Sequence, residues 1–122
     1  MVAIKLPKGS SEEKAARQQA MKEATEYAIE VPLEVMRTAD SMFDLLDAMA
    51  KDGNPNSASD TGVGALCART AIQGAGMNVR INIQDVEDGA WKSRVLEEMR
   101  QLEIDAERRC NAILERVESI IA

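Results

Sequence analysis

The sequence contains no histidine. That absence excludes Ser-His-Asp and Cys-His catalysis, imidazole proton shuttling and histidine-containing zinc sites within this chain. Any acid–base chemistry falls to carboxylates, Lys, Tyr, Cys or bound water. Aromatic residues are nearly as scarce. Tyr27, Phe43 and Trp91 complete the set, so the core must be aliphatic, built from Ala, Leu, Ile, Val and seven Met. Strand-type runs of Val, Ile, Thr and aromatics are scarce, whereas the abundant Ala, Glu, Lys, Arg, Leu and Met favour helix. No dense basic patch interrupts the net charge of −6, which argues against nucleic-acid binding. No apolar run approaches membrane-spanning length, and residues 1–9 lack the apolar region of a signal peptide. The two cysteines, Cys67 and Cys110, stand far apart on apolar helical faces. They read as buried thiols of a soluble, cytoplasmic protein.

What is present suffices for one helical domain over residues 1–122, 45% hydrophobic and long enough to bury a real core. Residues 1–9 read as an extended lead-in ended by Pro7 and Gly9. Ser10-Ser11-Glu12-Glu13 resembles a capping box, with Ser10 accepting from the Glu13 amide and the Glu13 side chain reaching back. Apolar or small residues follow at Ala16, Ala20, Ala24, Tyr27, Val31, Val35, Ala39, Met42, Leu46 and Met49. Steps of three and four make these one helical face. Pro32 falls inside the series. It either opens a second helix, where its missing N–H costs nothing, or kinks one long helix. The unbroken phase favours the kinked or barely interrupted helix. Gly53 supplies the stop and Pro55 prevents continuation.

A further helix is predicted from Ser57–Asp60 to about Asn82. One line along it, Asp60, Gly64, Ala68, Ala71, Ala75, Asn78 and Asn82, is small in the middle and polar at both ends. A neighbouring stripe of Val63, Leu66, Thr70, Gly74, Met77 and Ile81 reads as the conventional core face. Gly62, Gly64, Gly74 and Gly76 each cost about 1 kcal/mol against Ala in a helix interior. Close approach of another backbone, or of a ligand, is the expected offset. After an acidic turn at 84–89, a last helix runs from about Asp88 to the C-terminus. Its stripe is Trp91, Val95, Met99, Leu102, Ala106, Cys110, Ile113, Val117 and Ile120, with Glu97, Arg100, Glu107, Arg108 and Glu115 opposite. The fold class is therefore all-α, an antiparallel bundle of three to four long helices with one kinked at Pro32. The Met residues at 36, 42, 49, 77 and 99 read as core or interface filler.

Five segments occur together in one order: Leu6-Pro7-Lys8, Glu12 to Arg17, Val31-Pro32-Leu33, Gly53 to Ala65 and Asn78-Val79-Arg80-Ile81-Asn82. The chain thereby resembles the cyclodeaminase/cyclohydrolase family over nearly its whole length. Asn54-Pro55-Asn56-Ser57-Ala58-Ser59-Asp60, with Gly62-Val63-Gly64-Ala65 after it, is the most specific part. The resemblance implies a helical, typically dimeric folate domain that interconverts tetrahydrofolate derivatives, by cyclisation with ammonia loss or by methenyl hydrolysis. It implies a tetrahydrofolate derivative as substrate and no covalently bound cofactor or metal. Family members carry a further Gly-rich loop and small-residue helix before the Leu-Pro-Lys segment. Its absence here implies a truncated domain, inactive or completed by a separate chain.

Asp60 is the candidate catalytic residue, since a carboxylate stabilises a cationic methenyl carbon and accepts a proton from attacking water. The competing reading makes Asp60, Ser57 or Ser59 the helix N-cap. Asn54, Asn56, Ser59, Asn78, Arg80 and Asn82 are candidate substrate-binding residues. Against this, Asn54 and Asn56 suit Asx-turns, and Arg80 suits either a folate carboxylate or a structural salt bridge. Arg69, Gln73, Gly76 and Arg80 share one helix edge, and Lys8 is placed to attract an anionic ligand tail or to stay a surface lysine. The alternative function is a non-catalytic oligomerisation module. Its long apolar stripes outnumber the helices able to cover them, which predicts a homo-oligomer, most simply a two-fold dimer.

Overall fold

The computed structural model describes residues 2–7 and 9–122, so Lys8 lies outside the described residues. Three helices carry the fold: α1 (Ser11–Asp52), α2 (Ala58–Ile83) and α3 (Ala90–Ile121), with 3-10 turns at Val2–Lys5 and Pro55–Ser57. The lead-in predicted as extended is thus a helical turn. Ala3 is buried where this turn packs on α1, and the Leu6 amide closes it on the Ala3 carbonyl. Half of the capping box forms as expected, and its return bond is shifted by one residue from the Ser10 amide to that of Gly9. Ser10 Oγ accepts from the Glu13 amide at 3.1 Å, and Glu13 Oε2 accepts from the amide of Gly9 at 3.1 Å.

α1 runs without interruption through Pro32 for 42 residues, roughly 63 Å at 1.5 Å per residue. Pro32 offers no N–H, so the Ala28 carbonyl lacks its usual partner four residues on. Gly53 ends the helix in extended backbone, its amide donating to the Met49 carbonyl. A methyl group there would collide with that same carbonyl oxygen. α2 returns antiparallel to α1, and α3 runs parallel to α1. Arg37 pairs with Glu98, and Asp44 with Arg109.

The core joins Ile29, Leu33, Met36 and Phe43 of α1 to Ala65, Ile72 and Val79 of α2. From α3 it takes Val95, Met99, Ala106, Cys110, Ile113 and Val117. The predicted α3 stripe is the buried one, with Trp91 and Leu102 half-buried and Ile120 exposed. α1 and α2 differ from expectation. Tyr27, Val31, Val35, Met42 and Met49, taken as the apolar face of α1, are exposed; the core uses the adjacent line through Ile29, Leu33, Met36 and Phe43. The supposed core stripe of α2, Val63, Leu66, Thr70, Gly74, Met77 and Ile81, is exposed throughout. The middle of its small-residue line turns inward instead, with Ala68 and Ala75 buried and Gly64 and Ala71 half-buried, because Ala and Gly let the α1 and α2 backbones approach. The methionines divide accordingly: Met36 and Met99 are core, whereas Met42, Met49 and Met77 face outward.

Three of the four glycines have a close neighbour where a methyl would stand. A methyl on Gly64 would sit 2.8 Å from Leu46 Cδ2, one on Gly62 3.3 Å from Val117 Cγ1, and one on Gly76 2.5 Å from Glu103 Oε1. Gly74 is different, for nothing lies within 4 Å of its missing methyl.

Candidate functional site

The candidate residues fall into two groups at opposite ends of α2. At its start, Asn54 holds the loop as an Asx-turn, its Oδ1 accepting from the Asn56 amide at 3.0 Å. Ser57 is the N-cap position, without a side-chain cap bond. Asp60 therefore does not cap the helix. It stands exposed in the first turn, where the positive end of the helix dipole favours a carboxylate. Asn56 and Ser59 are exposed beside it. Thr61, buried and unremarked in the sequence, donates to the Ser57 carbonyl at 3.3 Å and anchors the turn beneath them.

Asn78 and Asn82 lie at the other end, about 27 Å and 33 Å along the axis from Asp60. The line joining them to Asp60 is not an open groove. Leu46 fills the space beside Gly64, and Ala68 and Ala75 are buried. The surface opens only toward the end of α2, as an apolar cavity of about 700 Å³ between α1 and α2. Tyr27, Ala28, Val31, Pro32 and Val35 line one wall, and Ala71, Gly74, Ala75, Asn78 and Asn82 the other. It is a shallow, open depression with a mainly apolar lining and few polar groups. Asn82 Nδ2 donates to the Asn78 carbonyl at 2.9 Å, holding the polar edge in place. Sequence reading missed the α1 wall; a proline kept in phase within an apolar helical line was its signal.

Arg80 points elsewhere. Its Nη1 donates to Glu103 Oε1 of α3 at 2.6 Å, the structural salt bridge of the two readings. Arg69 likewise lies 4.0 Å from Glu107, so the shared edge of Arg69 and Arg80 faces α3. The displaced titrations also belong to helix seams. Glu98 is held below the usual carboxylate range by its hydrogen bond from Arg37. Asp40 is pushed up chiefly by burial, against the opposing pull of Arg109. Burial likewise raises the Cys110 thiol, opposed by Arg69. Cys110 is buried as expected, but Cys67 is exposed, because it shares the outward stripe of α2. Among the described residues no group of three His, Cys, Asp or Glu converges as metal ligands would, and no helix is long and apolar enough to cross a membrane.

A helical pair carrying Asn-Pro-Asn-Ser-x-Ser-Asp at the start of one member can be set against known proteins. The formiminotransferase-cyclodeaminase family model matches residues 1–101. The chain belongs to this family. It is 37% identical over 119 residues to a methenyltetrahydrofolate cyclohydrolase of Methylorubrum extorquens, a match covering 98% of the chain and 57% of that protein. It is 36% identical over 117 residues to the formimidoyltransferase-cyclodeaminase of Sus scrofa, covering 96% of the chain and 22% of that protein. The Gallus gallus counterpart is 36% identical over 108 residues, covering 83% of the chain and 20% of that protein. The family member described here thus spans little more than half of the cyclohydrolase and about a fifth of the bifunctional proteins. The similarity to the cyclohydrolase runs across both ends of α2, so it includes the Asp60 loop and the Asn78–Asn82 groove alike.

Proposed function

We propose that this chain supplies part of a folate one-carbon site, of the methenyltetrahydrofolate cyclohydrolase or formiminotetrahydrofolate cyclodeaminase type. The similarity to the cyclohydrolase over 98% of the chain carries the proposal. In the hydrolytic reaction, water adds to the cationic methenyl carbon, a C–O bond forms, and the carboxylate of Asp60 takes the water's proton. The charge on the carbon is neutralised in the same step. The C–N bond then breaks as the departing nitrogen takes the proton held by Asp60 and the new hydroxyl gives its own proton to solvent, leaving the formyl derivative. With no histidine in the chain, an exposed carboxylate at a helix N-terminus is the group suited to this work. Asn56 and Ser59 stand beside Asp60 to hydrogen-bond the pterin. The site is completed by polypeptide beyond these residues, on the same or a separate chain. Two free thiols suit a reducing, cytoplasmic compartment.

The test is loss of methenyltetrahydrofolate absorbance, together with titration by folinic acid. Asp60→Asn is expected to slow hydrolysis by about 100-fold or more with helicity and ligand affinity retained. Full activity in Asp60→Asn, or no saturable binding at millimolar ligand, refutes the reading. The alternative, a helical assembly module without catalysis, is favoured by one observation: the exposed apolar stripes of α1 and α2.

A further inference from the structure

We propose that Leu114 and Val117, near the end of α3, are positioning residues for Asp60. They form the seat that holds the first turn of α2 where the Asp60 carboxylate can meet the methenyl carbon and its water. The proposal rests on the folate reading of the Asp60 end, and extends it to a part of the chain remote in sequence.

The first turn of α2 has an inward and an outward side. Ala58, Thr61 and Gly62 are buried, whereas Ser59, Asp60 and Val63 are exposed. Gly62 brings no side chain to the contact, so the α2 backbone itself rests on α3. A methyl there would stand 3.3 Å from Val117 Cγ1 and 3.7 Å from Leu114 Cδ2. Val117 is only 3% exposed and Leu114 is half-buried. The seat is thus part of a close-packed core, which holds what rests on it to within a fraction of an atom's width.

This contact reaches Asp60 rigidly. At 3.6 residues per turn Gly62 lies about 200° round the helix from Asp60, nearly on the opposite side. Both belong to one helix, so any shift of Gly62 against α3 carries Asp60 with it. The preceding loop follows, because the Ser57 amide donates to the Asn54 carbonyl at 2.9 Å and Thr61 Oγ1 donates to the Ser57 carbonyl. Among the described residues Thr61 is the one polar side chain buried in the core. Asn56, Ser59 and Asp60 therefore move as one body. Misplacement by about 1 Å costs about 100-fold in rate, so a few tenths of an ångström is worth several-fold.

Val117→Ala and Val95→Ala make the same cut at two buried α3 positions, 3% and 5% exposed, about 33 Å apart along the helix. The readouts are kcat and KM for methenyltetrahydrofolate hydrolysis, and the amide 1H–15N shifts of Ser59 and Asp60. Val117→Ala is expected to lower kcat about fivefold or more with KM nearly unchanged, and to move both amides. Val95→Ala should lose comparable thermal stability while kcat and both amides stay in place. Gly62→Ala keeps its helicity, since Ala favours helix, but should slow kcat several-fold. Adding Val117→Ala to it removes the methyl that the new one meets and should recover most of that loss. Equal loss of kcat in Val117→Ala and Val95→Ala overturns the proposal. So does a Val117→Ala that leaves kcat and both amides unchanged, or a double variant in which the two losses multiply. If the parent chain hydrolyses no methenyltetrahydrofolate, the folate reading fails by itself, and the amide shifts alone decide whether α3 seats the turn. Should Val117→Ala lose helicity, Leu114→Ala, a cut at the half-buried member of the seat, takes its place.

Discussion

Gly64 and Gly74 lie ten residues apart on α2, and replacing each with Ala should move stability in opposite directions. Both substitutions gain about 0.8–1 kcal/mol of helix propensity. At Gly74 nothing lies within 4 Å of the added methyl, so the gain is uncompensated. At Gly64 the methyl meets Leu46 Cδ2 at 2.8 Å. Leu46 is itself a buried core residue, and forcing it aside costs about 1–3 kcal/mol by overpacking. The net expectation is a gain of almost 1 kcal/mol for Gly74→Ala and a loss of about 1 kcal/mol for Gly64→Ala. For a domain of this size that is roughly 3–5 °C in Tm in each direction. Urea and thermal unfolding followed by circular dichroism, at a concentration that keeps the chain single, measure both. Two shifts of the same sign would refute the assignment of the small-residue line as the α1–α2 seam.

Two further outcomes follow from the core and its margins. Phe43→Ala removes a fully buried ring that Arg109 also overlies at 5.6 Å; it should cost about 3–5 kcal/mol, read from the urea midpoint. Asp40 is raised from 3.8, chiefly by burial, so its folded pKa lies above its unfolded one. Its contribution is fully present below pH 3.8 and lost as pH rises through the folded pKa. Asp40→Asn should therefore be more stable than the parent at pH 7, with the advantage fading as pH falls toward that value. An advantage independent of pH would contradict it.

Helix existence and type were legible in this chain because caps and stops are local. Ser10, Gly53 and Pro55 act through bonds within a few residues, and α3 shows a single apolar stripe. Which face of α1 and α2 is buried was not legible. Each carries two apolar lines side by side, and a period of three to four residues marks both equally. The deciding quantity is how closely two backbones approach, which depends on Ala65, Ala68 and Gly64 meeting Leu46 and its neighbours across the seam. The same pairing explains the divided site. Asp60, Asn78 and Asn82 do share a helical line, but α1 occupies its middle. Arg80 left its line's promise unmet because Glu103 lies on a helix remote in sequence.

Pro32 imposes a condition on anything that comes to rest in the groove. The Ala28 carbonyl beside it lacks the donor that residue 32 would ordinarily supply, and Ala28 and Pro32 both line the opening. In the uncovered state water can answer that oxygen. A purely hydrocarbon visitor would strip the water away and leave a buried acceptor unanswered, a penalty of about 1–3 kcal/mol. A visitor bringing a hydroxyl or amide hydrogen escapes it. One imino acid in the middle of a long helix thus turns a greasy surface into one that discriminates by hydrogen-bond donation.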